Sequence, residues 1–387
     1  MKTSPKSFSW AKILDISGAH FLHDIYSAFL APLYPLLIDK LGLNYTLVGS
    51  LTVIQRIASL FNPLIGLMVD RRDLRYFIIL TPAITAISMS LVGLAQNYWQ
   101  LALLLFIMGW SAAFFHVPGP VLIKRVSGER AGLGMSFYML AGELARSLGP
   151  IIIVTAISWW TLEGTYKLIP AGILASVILY YRLRKLKNIE IKTRKFDVSV
   201  KELLLELRGF YLAVTGYTFA RGLMKSLMVT FLPAYYVSQG ETLWVAAYTL
   251  SIFQFAGAIG SLVAGSYSDK IGRRKTLIII SIFTPILMIL FLIVTGWLKI
   301  IVLAFIGFFL IGSSPVLLAM VQEMSAERPS FNNGIFMTIS FAFGAFATLL
   351  IGFLADFIGL EQSFMLAPFF ALLAIPFAFR LDKKGRN

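Results

Sequence analysis

Residues 13–38 read ILDISGAHFLHDIYSAFLAPLYPLLI, an apolar stretch long enough to cross a bilayer as a helix. His20, His23 and Asp24 lie in its first half, and a helix places positions i, i+3 and i+4 on one face. These ionisable groups form one polar stripe, which Ser27 extends. A charge at the centre of hydrocarbon costs at least about 2.5–3.5 kcal/mol. The stretch therefore predicts a membrane helix whose polar face lines a water-filled path.

The whole chain has the composition of a helical membrane protein. Its 387 residues are 58% hydrophobic and only 14% charged, and the mean hydropathy is +0.80. The apolar runs are continuous and lack the alternation expected of a membrane barrel. The sequence contains no cysteine, which excludes disulfides, thiolate catalysis and cysteine-type metal sites.

Hydropathy predicts twelve membrane spans. They are residues 13–38, 45–69, 76–95, 98–123, 131–158, 165–181, 209–237, 242–267, 276–296, 298–322, 332–358 and 362–379. We therefore predict an all-α integral membrane fold of twelve transmembrane helices. Residues 1–181 would form an N-terminal six-helix bundle, 182–208 a cytoplasmic linker with an amphipathic helix, and 209–387 a C-terminal six-helix bundle.

The basic residues are concentrated on one side of these spans. The loops on the side of the N-terminus hold 27 of them, whereas the opposite loops hold only Lys40, Lys167 and Lys299. The positive-inside rule then predicts a multi-pass protein of the plasma (bacterial inner) membrane with both termini cytoplasmic. We expect the net charge of +15 to face anionic lipid rather than nucleic acid, and we expect a monomer.

The two halves of the chain repeat short motifs. Gly66 and Asp70 stand at the end of span two, and Gly265 and Asp269 stand at the end of span eight, 199 residues later in each case. Ser127-Gly-Glu-Arg130 and Ser325-Ala-Glu-Arg328 are a second pair, offset by 198 residues. Two nearly equal offsets indicate duplicated six-span halves, an architecture found among transporters.

Residues 265–275 match the loop signature G-x-x-x-D-[RK]-x-G-R-R-[RK], and the chain resembles the major facilitator superfamily over its length. The first-half copy keeps Gly66, Asp70 and Arg71 only. The resemblance implies two bundles around a central cavity, alternating access, and a cytoplasmic gate in which Asp70 contacts span eleven and Asp269 contacts span five. The gate residues are Gly66, Asp70, Arg71, Gly265, Asp269, Lys270, Gly272, Arg273 and Arg274.

A narrower resemblance is to the fosmidomycin-resistance branch of that superfamily. It is carried by Gly18-Ala-His-Phe-Leu-His-Asp24, Pro32-Leu-Tyr-Pro-Leu-Leu37, Asn62-Pro-Leu-Ile-Gly-Leu67 and Phe115-His-Val-Pro118. That branch is understood as drug exporters driven by proton exchange. Val117 and Gly119-Pro120 depart from the usual pattern of span four, so we do not assign the substrate of that branch to this chain.

Ionisable residues inside the spans are the candidate functional groups. We predict proton coupling by Asp24 with His20, His23 and Glu143, and substrate binding by Arg56, His116, Arg146, Arg221 and Lys225. Four basic residues against two acidic ones favour an anionic or amphiphilic compound, and fosmidomycin, a phosphonate, would fit. Two structural alternatives are a packing pair between Asp24 and Arg56, and a self-contained pair between Glu143 and Arg146.

These observations predict a proton-coupled exporter, an antiporter of a small anionic or amphiphilic compound. No catalytic triad or nucleotide motif is present, so we expect no enzyme, no metal site and no cofactor other than the proton gradient. One alternative is a divalent-metal exporter that uses His20, His23, Asp24 and His116 as ligands. A lipid flippase and a non-transporting sensor are the others.

Overall fold

The computed structural model describes residues 8–69, 75–184, 205–324 and 329–381, and every regular element in these ranges is helical. The helices are α1 (Trp10–Ser27), α2 (Leu30–Leu41), α3 (Tyr45–Arg56), α4 (Asn62–Val69), α5 (Arg75–Ser90), α6 (Tyr98–His116), α7 (Gly119–Ser127), α8 (Ala131–Trp160), α9 (Ile169–Leu183), α10 (Arg208–Ser226), α11 (Leu232–Ser238), α12 (Leu243–Ile271), α13 (Arg273–Ile293), α14 (Gly296–Glu323), α15 (Pro329–Ile358), α16 (Leu360–Met365), α17 (Ala367–Leu372) and α18 (Ala374–Arg380). The all-helical prediction is confirmed for these residues.

Nine helical stretches among the described residues are long and apolar enough to cross a membrane. They are Trp10–Leu41, Arg75–Leu94, Tyr98–Ser127, Gly132–Trp160, Leu243–Ile271, Arg273–Ile293, Gly296–Glu323, Gly334–Ile358 and Leu360–Arg380. The other three predicted spans, 45–69, 165–181 and 209–237, fall on shorter or interrupted helices. The number twelve therefore stays a prediction.

Two of the interruptions contain the residue four positions before a proline. Pro63 has no N–H for the Ser59 carbonyl, and the N–H of Asn62 bonds that carbonyl instead, within a 3₁₀ segment at Ile57–Phe61. A π-helical turn at Leu227–Phe231 separates α10 from α11, which has Pro233 in its first turn. Such segments occur often at functional positions of helices.

The described residues form two compact units. The described residues within Met1–Gly42 and Ile54–Thr193 form one unit, and those within Leu43–Val53 and Arg194–Asn387 form the other. Most of the predicted linker, including the start of its amphipathic helix, falls on residues 185–204 and lies outside the described residues. The predicted boundaries of the two bundles stay a prediction.

The core of the first unit forms around α1. Ile13, Ile16 and Ala19 of α1 are buried against Phe115 of α6 and Tyr138 of α8. These apolar residues precede the polar stripe on the same face of α1, because the members of both sets recur at spacings of three or four positions. The packing of α1 therefore fixes the position of the stripe against α6 and α8.

In the second unit, most of α3 packs on α15. Both carboxylate oxygens of Asp356 accept hydrogen bonds at 2.8 Å, one from the N–H of Tyr45 and one from the N–H of Thr46. A Cβ added at Gly49 would lie 2.6 Å from the Cα of Leu349, so glycine allows the two backbones to touch. Asp356 thereby satisfies two of the free N–H groups at the start of α3.

Candidate functional site

The polar stripe of α1 is buried inside the first unit. His20, His23 and Asp24 are 4%, 0% and 2% exposed. Their common face confirms the spacing argument made from the sequence. Burial of a carboxylate and two imidazoles in a membrane helix requires partners from neighbouring helices.

Asp24 is surrounded by three nitrogen-bearing side chains. The Arg146 Nη1 of α8 donates to Asp24 Oδ2 at 2.6 Å. His20 Nε2 lies 3.3 Å from Oδ2, and His116 Nε2 of α6 lies 3.3 Å from Oδ1. We call Asp24, His20, His116, Arg146 and Glu143 the Asp24 cluster.

Arg146 joins two carboxylates. Its Nη2 lies 2.5 Å from Glu143 Oε1, and its Nη1 bonds Asp24. The predicted pair between Glu143 and Arg146 is therefore present, although it is not self-contained. Asp24 pairs with Arg146, a partner that the sequence did not suggest, and the proposed pair between Asp24 and Arg56 stays a prediction.

The proton positions on His20 follow from its surroundings. Its Nδ1 lies 2.7 Å from the backbone carbonyl of Tyr138, and its ring stacks on the Tyr138 ring with centroids 4.0 Å apart. A carbonyl can only accept, so Nδ1 carries a hydrogen. In neutral His20, Nε2 would then turn a lone pair toward the carboxylate of Asp24. A favourable contact at 3.3 Å requires a proton on one of the two groups.

His23 belongs to a separate chain of hydrogen bonds. Its Nδ1 lies 3.0 Å from the Thr85 hydroxyl, which lies 2.7 Å from the Ser111 hydroxyl. Ser111 lies 3.0 Å from the carbonyl of Thr81 and can donate its single hydrogen there. Thr85 then donates to Ser111, and His23 Nδ1 donates to Thr85. This chain ends at a backbone carbonyl, which holds His23 in one orientation.

The accessible members of the cluster are basic. The Arg146 and His116 side chains are 35% and 30% exposed, whereas those of His20 and Asp24 are 5% and 3% exposed. Arg56, at the end of α3, is also exposed. The side chains of Arg146 and His116 are therefore more accessible than the carboxylate of Asp24.

Gly142 of α8 makes room for the cluster. A Cβ at this position would lie 2.5 Å from His20 Cε1 and 3.1 Å from Asp24 Oδ2. Sequence reasoning did not place Gly142 in the site, and it missed Tyr138, Thr85 and Ser111. Serine and threonine are common in membrane helices, so their type alone gives no signal.

Arg221 and Lys225 lie one turn apart on α10 in the second unit. Arg221 Nη2 donates to the Ser314 hydroxyl of α14 at 2.6 Å. Among the described residues, no ion pair joins Arg221 to a carboxylate. A cavity of about 20 Å³ adjoins Arg221. Lys225 is exposed.

The predicted gate motif of the second half forms a compact network. Arg273 pairs with Asp269 at 2.5 Å and with Glu323 at 3.1 Å, and it also donates to Ser268. Gly272 adopts a φ of +97° between α12 and α13, a conformation that favours glycine. Sequence reasoning missed the role of Glu323.

The other gate residues are distributed as follows. Gly265 accepts from Arg273 through its carbonyl at 3.3 Å, Arg274 donates to the carbonyl of Phe379 at 2.5 Å, and Lys270 is exposed. Gly66 lies in α4. Asp70 and Arg71 lie outside the described residues, so the contacts predicted for Asp70 and Asp269 stay predictions.

Part of the predicted metal-ligand set is close together. His20, Asp24 and His116 each offer one ligand atom, and these atoms lie within 4.8 Å of one another. Such a set could in principle bind a divalent cation. The Arg146 guanidinium bonds the same carboxylate at 2.6 Å, and its charge opposes a second cation there.

Comparison with known proteins gives consistent results. A sequence profile of the Major Facilitator Superfamily matches residues 16–345 and 218–387. The chain is 25% identical to the fosmidomycin resistance protein of Escherichia coli (strain K12) over 393 residues, which cover 96% of this chain and 93% of that protein. It is 22% identical to the multidrug resistance protein MdtG of Salmonella paratyphi C (strain RKS4594) over 347 residues, which cover 84% and 82% of the two chains.

The fold is similar to that of a solved transporter. A bacterial homologue of the human lysosomal transporter Spinster, crystallised in an inward-facing and unoccupied conformation, superposes with a TM-score of 0.79. The superposition covers 98% of this chain and 97% of that one at 14% identity. At this identity the likeness concerns the fold alone.

Proposed function

The chain belongs to the Major Facilitator Superfamily, and on that premise we propose that it is a proton-coupled exporter of a small anionic or amphiphilic compound. Membership makes it a multi-pass membrane transporter of a small molecule rather than an enzyme. We further propose alternating access by two six-helix bundles in the plasma membrane, with both termini cytoplasmic.

The direction of transport is proposed from the relatives. Two of them are named for resistance, one to fosmidomycin and one to multiple drugs. Resistance to a compound is consistent with its removal from the cell. Fosmidomycin carries an anionic phosphonate, and the basic residues inside the spans of this chain support a compound with an anionic group.

The buried Asp24 cluster is the observation that carries the proposal of proton coupling. Asp24 is 2% exposed, bonds Arg146 at 2.6 Å and lies 3.3 Å from two imidazoles. A proton bound by the pair of Asp24 and His20 alters the charge that Arg146 and His116 experience. The charge on Asp24 thereby affects what Arg146 and His116 can bind, and a compound bound there affects the protonation of Asp24, as coupling between substrate and proton requires.

Exchange requires that the proton and the compound exclude each other. We propose that a hydrogen-bond donor of the compound binds ionised Asp24 in one half of the cycle, and that a proton replaces it in the other half. Asp24 is almost fully buried, so its ionised form needs such a donor or the neighbouring cations. After the compound is released, the carrier would return to the inward-facing state with the proton bound to Asp24.

The test is proton release in weakly buffered detergent solution on addition of fosmidomycin or of the lipophilic cation tetraphenylphosphonium. Wild type is compared with Asp24→Asn. The matched control is Asp15→Asn, which removes a carboxylate of the same helix outside the cluster. We expect release from wild type and from the control, and none from Asp24→Asn.

Other outcomes would redirect the proposal. Release that persists in Asp24→Asn would make Asp24 a structural partner of Arg146 and would move coupling to Glu143. Release on addition of Zn²⁺ alone, lost in His116→Ala, would favour the divalent-metal alternative. Uptake of fosmidomycin by proteoliposomes along with protons, rather than exchange, would contradict antiport.

A further inference from the structure

We propose that the anionic group of the transported compound binds to Arg221 of α10, and that Arg146 stays paired inside the Asp24 cluster. This inference rests on the proposed function, because it assigns one part of the substrate to one residue. The expected group is a phosphonate, phosphate or carboxylate. Both guanidiniums lie in helices of the predicted membrane region, and their surroundings differ sharply.

Arg146 is neutralised on both sides. Its Nη1 bonds Asp24 Oδ2 at 2.6 Å, and its Nη2 bonds Glu143 Oε1 at 2.5 Å. An arriving anion would have to displace one of these carboxylates from its own partner. The displaced carboxylate would then lose the cation that compensates its burial, and breaking a buried ion pair costs about 3–5 kcal/mol.

Arg221 has a neutral partner instead. Its Nη2 bonds the hydroxyl of Ser314 at 2.6 Å, and no described carboxylate pairs with it. A guanidinium carries five N–H donors. Within the described ranges, Ser314 is the one acceptor bonded to Arg221. Cations inside membrane helices are retained where they meet a counter-ion or substrate. An oxyanion that approaches the free edge could bind it through two parallel hydrogen bonds.

The cavity beside Arg221 adds a second observation. Its polar lining comprises Tyr217, Ser281, Thr284 and Ser313, which bear no formal charge. The three aliphatic hydroxyls donate to carbonyls of their own helices, at 2.7, 2.6 and 2.8 Å respectively. Ser281 and Ser313 also hydrogen-bond the Tyr217 side chain, and none of these hydroxyls supplies a negative charge to Arg221.

The local helix geometry supports a binding role for this turn of α10. The π-helical turn at Leu227–Phe231 begins six residues after Arg221. Gly222, the next residue, lies close to α15, where an added Cβ would be 3.3 Å from the Ala347 side chain. Arg221 thus lies on a helix that packs closely on α15 at Gly222 and is followed by an irregular turn. Irregular turns of this kind occur frequently at functional sites.

The sign of proton coupling also favours Arg221. An anion bound by Arg146 would lie beside Asp24, since the two residues are in hydrogen-bond contact. A nearby negative charge favours the protonated form of a carboxylate. Anion and proton would then bind together, which is the opposite of exchange. An anion that does not bind Arg146 avoids this conflict with exchange.

The experiment is chemical labelling of arginines in the full-length protein in lipid nanodiscs, followed by mass spectrometry. Phenylglyoxal reacts with accessible, unpaired guanidiniums. We expect Arg221 to react faster than Arg146. Methylphosphonate, the smallest probe with the required anionic group, should slow Arg221 by about tenfold at ten times its Kd. The uncharged dimethyl ester of methylphosphonate should have no effect.

Two controls make the labelling interpretable. In Asp24→Asn, Arg146 loses one carboxylate partner and should react faster than in wild type, which shows that pairing limits the rate. Nanodiscs of phosphatidylglycerol and of phosphatidylcholine should give the same rate at Arg221. Slower labelling in phosphatidylglycerol alone would assign the site to a lipid headgroup and overturn the inference.

The remaining outcomes also decide the inference. Protection of Arg146 rather than Arg221 by methylphosphonate, or protection of neither, would overturn it. Equal reaction rates of the two arginines without ligand would overturn the argument from pairing. None of these results touches the proton-release test with Asp24→Asn, so the proposed function and this inference can fail separately.

Discussion

Replacing Gly142 with alanine would place a methyl group against the Asp24 cluster. The added Cβ would lie 2.5 Å from His20 Cε1, whereas ordinary contact begins at 3.4 Å. The imidazole would have to move by about 0.9 Å away from α8. The carbonyl of Tyr138 also belongs to α8, so the 2.7 Å hydrogen bond to His20 Nδ1 would lengthen beyond the usual limit of about 3.2 Å.

The expected loss of stability is small. A buried donor left without its acceptor costs about 1–3 kcal/mol. Alanine in a helix interior recovers about 1 kcal/mol relative to glycine. The free energy of unfolding should therefore fall by about 0–2 kcal/mol, and the Gly142→Ala protein should remain folded in detergent.

The expected loss of transport is larger than the loss of stability. A displacement of about 1 Å at a reacting group can reduce a rate by about 100-fold. We expect proton-linked flux in proteoliposomes to fall about 10- to 100-fold, with a changed pH dependence. The assay compares flux under an imposed pH gradient with thermal unfolding of the same preparation.

Gly132→Ala is the matched control on α8. An added Cβ there meets no atom within 4 Å. This variant should transport at the wild-type rate and gain up to about 1 kcal/mol from helix propensity. Wild-type flux and pH dependence in Gly142→Ala, or equal losses in both variants, would refute the reasoning.

Two further predictions concern contacts away from the cluster. Asp356→Ala removes the acceptor of the Tyr45 and Thr46 N–H groups and should lower stability by about 0.5–2 kcal/mol in thermal unfolding, with Asp356→Asn intermediate; an unchanged unfolding temperature would contradict the capping role. The Lys40 ammonium, 2.7 Å from Glu163, holds the pKa of that exposed carboxyl below its ordinary value. The ion pair between Lys40 and Glu163 stabilises the fold at neutral pH, and this stabilisation is lost as the pH falls through the lowered pKa of Glu163. Glu163→Gln should therefore lower the free energy of unfolding by about 0.2–1 kcal/mol at pH 7 and by nothing measurable at about pH 3. A larger effect of the substitution at the lower pH would contradict this sign.

Periodicity in the sequence predicted much of the site. His20, His23 and Asp24 share a face because helix geometry alone places them there. Glu143 and Arg146 pair for the same reason, at a spacing of three. These contacts are local, so a single helix is enough to define them.

Contacts between distant segments were beyond such reasoning. Arg146 and Asp24 are separated by 122 positions, and the sequence suggested Arg56 rather than Arg146 as a partner of Asp24. His20 is oriented by a backbone carbonyl, which every residue possesses, so no residue type identifies Tyr138 as its acceptor. The same holds for Thr85, whose hydroxyl gives no sign that it faces an imidazole.

The break in predicted span two illustrates a different limit. Hydropathy averages over a window and reads residues 45–69 as one span. The structure has α3, a 3₁₀ segment at Ile57–Phe61 and α4 instead. Pro63 causes this break in the helix, because proline has no N–H to donate to the carbonyl of Ser59, four residues earlier. The residues were visible, but hydropathy does not weigh backbone hydrogen bonds.

The assignment of Leu43–Val53 to the second unit affects how the protein can be dissected. A gene cut at the central linker would yield a C-terminal fragment that lacks this segment. Asp356 would then lose the N–H groups of Tyr45 and Thr46, and the surface of α15 at Leu349 would lose the backbone that packs on it. Chimaeras built with a relative should therefore exchange residues 43–53 together with the C-terminal half. The contacts between this segment and α15 would then come from one parent protein.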